Sequence, residues 1–140
     1  SREKYHVALF NHLIIFKNNK LPNYDYFKIG KITVMERSSF ADNIIAIGSE
    51  NGCSIFNAKA HKNTFFISDI VPFDLKFIGK QLVIINNYEV YVFDASSEIP
   101  KLQWKQSVRI RLINILRVSR RNQFALLDSN GKITIWDTKR

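Results

Sequence analysis

Few residues in this 140-residue sequence have the types and spacing that catalysis or metal binding requires. The three histidines, His6, His12 and His61, are far apart, and there is no His-x-x-x-His or Cys-x-x-Cys motif of the kind that binds zinc. The single cysteine, Cys53, has no general base at a recognisable spacing, and its place directly after Gly52 suits a small buried strand residue. The five glycines form no phosphate-binding loop. We therefore predict no catalytic residue, no metal site and no cofactor.

The positive charge is the feature that points most directly to a binding function. The sequence has 21 Lys and Arg against 12 Asp and Glu, a net charge of +9, and the stretch 99–127 contains no acidic residue. Arginine forms bidentate contacts with phosphate and carboxylate groups, so this stretch is a candidate surface for RNA, DNA, phospholipid or an acidic protein segment. A solvated surface without a partner, or an excess of Lys from coding bias, is the alternative interpretation. The candidate residues are Lys101, Lys105, Arg109, Arg111, Arg117, Arg120 and Arg121.

Most of the chain alternates between short apolar runs and polar turn residues, which is typical of β-strands joined by hairpins. The clearest turn signals are Asn51-Gly52 and Asn130-Gly131, since both residue types accept the positive φ angles of tight turns. Helix signals are weak: the best candidate, 108–119, is rich in β-branched residues and has no capping box, so we predict a strand there. The pattern predicts an all-β fold.

A repeat of about forty residues organises these strands. The segments 44–57 and 124–137 align over their whole length, 82–94 fits the same frame with one turn residue fewer, and 7–17 is a weaker copy. Each copy ends on an aromatic residue, and the spacings between these residues are 40, 37 and 43. A period near forty with two central strands is typical of a propeller blade. The aromatic residues are Phe16, Phe56, Phe93 and Trp136.

The last copy resembles the terminal strand of a WD repeat. Lys132-Ile133-Thr134-Ile135-Trp136-Asp137 ends on Trp-Asp, and Phe93-Asp94 is a common variant of that dipeptide, whereas Phe56-Asn57 is a looser one. The Gly-His pair that usually begins a WD repeat is missing from every copy. The resemblance implies a WD-repeat-like β-propeller.

Counting strands within this frame gives three, four, four and three, or roughly 3.5 four-stranded blades. The approximate blades are 1–30, 31–69, 70–107 and 108–140 of a single propeller segment. Propellers close with four to eight blades, and a repeat unit cannot bury its apolar faces alone. We therefore expect this β-propeller fragment to be completed by further chain, by a partner or by a second copy in a homodimer.

Aromatic residues near the predicted outer strands have two interpretations. Tyr24, Tyr26 and Trp104 are candidate anchors for a partner peptide, since Tyr, Trp and Arg dominate binding hot spots. The alternative is that they pack one blade against the next.

The propeller resemblance and the missing catalytic motifs together predict a non-catalytic protein–protein interaction scaffold in a multi-subunit complex. Nucleic-acid binding through the basic residues is the first alternative. Phosphoinositide binding is the second, because Ser119-Arg120-Arg121-Asn122 keeps the paired Arg of a phosphoinositide-binding Phe-Arg-Arg-Gly motif but lacks both flanking residues. A chain with one cysteine is expected to be intracellular, cytoplasmic or nuclear, rather than secreted, and no apolar run predicts a membrane segment.

Overall fold

The computed structural model describes residues 5–10, 13–18, 24–38, 40–41, 43–60, 62–97 and 99–139, with side chains from residue 28 onward. The secondary structure of this part is entirely β, and it contains no helix long and apolar enough to cross a membrane. Its strands are β1 (Tyr5–Phe10), β2 (Leu13–Asn18), β3 (Tyr24–Lys28), β4 (Ile32–Arg37), β5 (Ile44–Ser49), β6 (Gly52–Asn57), β7 (Lys62–Ile67), β8 (Asp74–Ile78), β9 (Gln81–Ile85), β10 (Glu89–Asp94), β11 (Lys101–Ser107), β12 (Leu112–Arg117), β13 (Gln123–Asp128) and β14 (Ile133–Asp137).

The strands form antiparallel sheets in which neighbours in sequence are neighbours in space. The sheets are β1-β2-β3, β4-β5-β6-β7, β8-β9-β10-β11 and β12-β13-β14. This grouping confirms the predicted count of three, four, four and three strands. The strand predicted over 108–119 is shorter than expected, because 108–111 form the connection from β11 and only Leu112–Arg117 pair as β12.

Glycine supplies the positive φ angle that two of the hairpin turns adopt. Gly52, with φ of 135°, begins β6 after the two-residue turn Glu50-Asn51, and Gly131 has φ of 82° in the turn between β13 and β14. Only the glycine of each Asn-Gly pair has a positive φ. The asparagines have ordinary φ angles, so the glycine alone supplies the left-handed geometry of each pair.

The chain divides into two compact units, Ser1–Val71 and Pro72–Arg140. In the first unit, the β4–β7 sheet has a core of buried residues against which Ile29 and Ile32 pack. The central strands β5 and β6 are buried almost throughout, whereas β4 alternates between half-buried and exposed residues. The buried residues of this core are Ile45, Ile47, Phe56 and Ala58.

In the second unit, the β8–β11 and β12–β14 sheets share one apolar core. Central strands β9 and β10 supply Val83, Ile85, Val90 and Val92, and the second sheet supplies residues from β12 and β13. Since side chains alternate along a strand, every second residue of β9, β10 and β13 faces this core, whereas a register shift between Leu112 and Asn114 places two β12 residues three positions apart in it. The contributions of the second sheet are Leu112, Ile115, Phe124 and Leu126, with Trp136 packed against them.

Asp74 joins the first strands of these two sheets. Its Oδ2 accepts a hydrogen bond from the Ile115 backbone N–H at 2.8 Å, and its Oδ1 accepts one from the Leu75 N–H at 2.9 Å. Arg117 Nη2 donates to the Phe77 carbonyl at 3.4 Å further along. Because the partners advance in the same direction on both strands, β8 and β12 run the same way. That shared direction decides which loops lie together.

Candidate interaction surfaces

The loops of the second unit gather at two opposite ends of its sheets. One end, here called the Tyr88 end, holds the start of β8, the β9–β10 turn, the β11–β12 connection and the β13–β14 turn. The other, the Arg120 end, holds the β8–β9 turn, the β10–β11 and β12–β13 connections and the residues after β14. The six residues of β12 separate the two ends by about 17 Å, at about 3.3 Å per residue.

This separation divides the predicted basic surface. Arg109 and Arg111 lie at the Tyr88 end, and Lys105 lies on β11 nearer that end. Arg117, Arg120 and Arg121 lie at the Arg120 end, together with Lys101 at the start of β11. All seven side chains are exposed. The acid-free stretch of sequence therefore contributes to two surfaces rather than one.

At the Arg120 end, the structure adds cations that the sequence stretch did not include. Lys80, in the β8–β9 turn, and Lys139, after β14, are exposed at this end. The described part of this end has two acidic residues, Asp94 and Asp137, and six cations, so its formal charge is 6 − 2 = +4. The cations are Lys80, Lys101, Arg117, Arg120, Arg121 and Lys139. Glu98 belongs to the same connection but lies outside the described residues.

Both acidic side chains at this end are engaged locally. Asp94 Oδ1 accepts hydrogen bonds from the Ser96 hydroxyl at 2.6 Å and the Ser96 N–H at 2.9 Å. These bonds, and to a smaller extent the charges of Lys101 and Lys80, lower the pKa of Asp94. Asp137 Oδ1 accepts a hydrogen bond from the Lys139 N–H at 2.8 Å. The end is therefore a positively charged surface on which the carboxylates are committed to their own turns.

At the Tyr88 end, the loops are tied together by backbone hydrogen bonds of 2.8 Å each. Every connection at this end takes part, so the loops are held in one arrangement rather than independently placed. The bonds run from Phe73 N–H to Ile85 O, from Val108 N–H to Tyr88 O, from Leu112 N–H to Asn87 O and from Ser129 N–H to Arg111 O.

The Tyr88 end also exposes large apolar side chains. Phe73 is 48% exposed, Tyr88 50% and Ile110 40%, and Ile110 lies between Arg109 and Arg111 in sequence. The sequence reasoning missed Phe73 and Tyr88, because each belongs to an apolar run that reads as strand core. Their positions could have indicated exposure, because Phe73 directly precedes β8 and Tyr88 occupies the turn before β10.

Of the three predicted aromatic anchors, Trp104 has contacts within the chain. Its indole Nε1 donates to the Thr138 carbonyl at 2.8 Å, and its ring stacks on Trp136 with centroids 6.2 Å apart. Trp136 in turn stacks on Phe124 at 6.3 Å, so Trp104 packs the β8–β11 sheet against the β12–β14 sheet. Tyr24 and Tyr26 lie on β3, and their side chains lie outside those described. A role of these three residues in partner binding stays a prediction.

Cys53 is fully buried on β6, and burial raises the pKa of its thiol to about 12. A thiol with so high a pKa has almost no nucleophilic thiolate at neutral pH. Among the described residues no cluster of His, Cys, Asp and Glu is arranged to hold a metal ion; His12 and His61 lie outside those residues.

Solved structures with the same fold are found, although no protein-family model and no curated protein matches the sequence. A chain in the crystal structure of a mitotic checkpoint complex superposes with a TM-score of 0.70 and 10% identity, over 96% of this chain and 45% of that one. The C-terminal WD40 domain of Sif2 superposes with a TM-score of 0.68 and 14% identity, over 90% of this chain and 37% of that one.

The fold of this chain is thus that of part of a WD40 β-propeller, as its repeat predicted. The chain spans less than half the length of both matched chains. At such low sequence identity the likeness concerns the fold alone, because one fold supports many functions.

Proposed function

We propose that this protein is a non-catalytic protein–protein interaction scaffold, contributing part of a propeller to a multi-subunit intracellular complex. WD40 propellers are typically scaffolds, and one matched structure is itself a complex, the mitotic checkpoint complex. In this proposal the propeller is completed by further chain, by another protein or by a second copy of this chain.

The observation that carries the proposal is the uncovered face of the last sheet. Ile133 and Ile135 on β14 are 56% and 61% exposed. The repeat places Cys53 and Ile55 at the equivalent positions of β6, and these are 0% and 3% exposed. Within the described residues β14 pairs only with β13, whereas β6 and β10 each have strands on both sides. Covering two isoleucines of this size is worth about 3 kcal/mol, so an apolar partner surface is expected here.

Light scattering on the purified chain, in reducing buffer, tests this proposal. We expect a mass of at least two chains, or of a stable complex, rather than the 16.3 kDa of one chain. A monodisperse single chain that unfolds cooperatively would contradict it, because its open sheet faces would then be stable in water.

Nucleic-acid binding is the second candidate function, and the observation that favours it is the +4 charge of the Arg120 end. Each phosphate contact releases condensed counterions, so binding of RNA or DNA should weaken steeply with salt. The triple variant R120E/R121E/K139E should remove most of the affinity and flatten the plot of log K against log salt by about two to three. Anisotropy of a labelled single-stranded RNA or DNA measures both effects.

The matched control is R109E/R111E/K132E, which makes the same charge change at the Tyr88 end. If this end were equally responsible, the two triple variants would lose affinity equally. Unchanged affinity in R120E/R121E/K139E would exclude the second function.

A further inference from the structure

We propose that the Tyr88 end is a docking site for an acidic peptide segment that carries an apolar side chain. The inference deepens the proposed scaffold function, on which it rests, by assigning a surface and a partner chemistry. The surface consists of Phe73, Tyr88, Arg109, Ile110, Arg111 and Lys132.

The first argument is the composition of the exposed side chains. Tyr and Arg are enriched among residues that dominate binding energy, because a rigid aromatic ring buries much area and a guanidinium forms several directed bonds. Here a half-exposed Tyr88 lies beside a connection in which Ile110, 40% exposed, is flanked by two exposed arginines. Phe73 adds a second exposed ring at the start of β8.

The second argument is that the exposed charged side chains of this end are cations, whereas its carboxylates are half-buried or buried. Its acidic residues already have partners: Asp128 Oδ1 accepts hydrogen bonds from the Asn130 N–H at 2.9 Å and the Lys132 N–H at 3.0 Å. Glu89 Oε1 accepts a bond from Asn86 Nδ2 at 3.4 Å. The exposed cations Arg109, Arg111 and Lys132 are then left to attract carboxylates of a partner.

The third argument is rigidity. The backbone bonds from Val108 and Leu112 to the β9–β10 turn hold Tyr88 next to the connection that carries Ile110. A surface whose loops are already fixed loses little conformational entropy on binding, so more of the contact energy remains as affinity.

A peptide suits this end better than a nucleic acid does. Ile110 presents aliphatic carbon between the two arginines, which packs against an aliphatic or aromatic peptide side chain, whereas the rings of Phe73 and Tyr88 can stack on a base as well as on a peptide. Three exposed cations are also fewer than the six at the Arg120 end, where charge alone would attract phosphates.

Selection from a random dodecapeptide library displayed on phage, with the full chain as target, tests the proposal. We expect enriched peptides to combine Asp or Glu with Leu, Ile or Phe. Synthetic versions should lose at least tenfold in affinity against Tyr88→Ala and against Arg111→Glu. The control R120E/R121E, at the opposite end, should bind them as the unchanged chain does.

Circular dichroism and thermal unfolding of each variant separate a binding loss from a folding loss, and Tyr88→Phe should retain most of the affinity. The proposal is overturned if no peptide is enriched, if enriched peptides lack acidic residues, or if Tyr88→Ala binds them unchanged. It is also overturned if a single-stranded oligonucleotide binds this end in a Tyr88-dependent way. A single-chain mass in light scattering would contradict the completed propeller and leave these peptide results standing, so the two failures are distinguishable.

Discussion

Gly52 and Gly131 follow the same Asn-Gly signature in sequence, yet they have different surroundings. A Cβ at Gly52 would collide with the backbone carbonyl of Ile67 on β7, whereas one at Gly131 would meet nothing within 4 Å. Both residues have a positive φ, which costs an L-residue about 1 kcal/mol or more. The two positions therefore share the conformational cost but differ in the steric one.

We expect Gly52→Ala to lower the free energy of unfolding by more than about 2 kcal/mol, because conformational strain and overpacking add. Gly131→Ala is the matched control and should cost about 1 kcal/mol through conformation alone. Urea denaturation measures both values. Equal losses would mean that β7 moves away from the added methyl group without cost.

Cys53 gives a pH dependence of known sign. Burial raises its pKa in the folded chain to about 12, above the ordinary thiol value of 9.0. The neutral thiol is therefore favoured by folding, and its contribution is complete below pH 9 and lost as the pH rises from 9 toward 12. In this window the unfolding free energy should fall by up to about 1.4 kcal/mol per pH unit from this group.

The test compares the unchanged chain with Cys53→Ala between pH 8 and pH 10.5. The variant loses some packing at every pH, but it lacks the thiol, so its stability should decline less steeply above pH 9. Parallel declines would show that the thiol ionises in the folded chain as easily as in the unfolded one.

At the scale of strands and sheets, alternation and turn residues predicted most of the fold. The strands around the repeat, such as β9 and β10, were predicted within about one residue because Asn86-Asn87 separates their short apolar runs and polar residues bound them on the other side. The Val108–Arg111 connection was misread as strand, because its apolar residues alternate although they pair with no neighbouring strand in sheet order. Periodicity reports which residues are apolar and cannot report which backbone groups find partners.

Asp74 illustrates what periodicity misses between sheets. Two first strands that run the same way in different sheets do not continue one ladder, so the Ile115 N–H needs another acceptor, and the buried Asp74 carboxylate supplies it. Nothing in the sequence distinguishes this aspartate from one in a solvated turn, since its partner lies 41 residues away.

We expect Asp74→Ala to destabilise the chain by about 2–3 kcal/mol, because it leaves a buried N–H without an acceptor. The control, Asp94→Ala, removes a carboxylate that is bonded only within its own turn and should cost less than about 1 kcal/mol. Thermal and urea unfolding of both variants measure the difference. A loss in Asp74→Ala no greater than in the control would show that the bond to Ile115 contributes little.

At the scale of the whole chain, the repeat predicted a partial propeller, and the structural matches confirm that fold. The binding surfaces were harder to predict. Arg111 and Arg120 are nine positions apart in sequence, and they were grouped because no acidic residue lies between them. Strand β12 lies between them in sequence, and because a strand is extended, the residues before and after it lie at opposite ends of the sheet. This length was the signal in the sequence that separates the two arginines.

The uncovered face of β14 allows the completed propeller to be tested by substitution. Trp136 points into the core with Phe124, so Ile133 and Ile135, at odd spacing from it, lie on the opposite face of the sheet. The double variant I133D/I135D places two charges on that face and leaves the core contacts of Trp136 intact. If a partner sheet covers this face, burying two unpaired carboxylates would cost far more than the interface gains, and the assembly should dissociate. Light scattering should then give 16.3 kDa with the circular dichroism spectrum unchanged.

The control Ile110→Asp changes an exposed isoleucine at the Tyr88 end and should leave the mass of the assembly as it was. An unchanged mass in the double variant I133D/I135D would mean that the partner binds elsewhere.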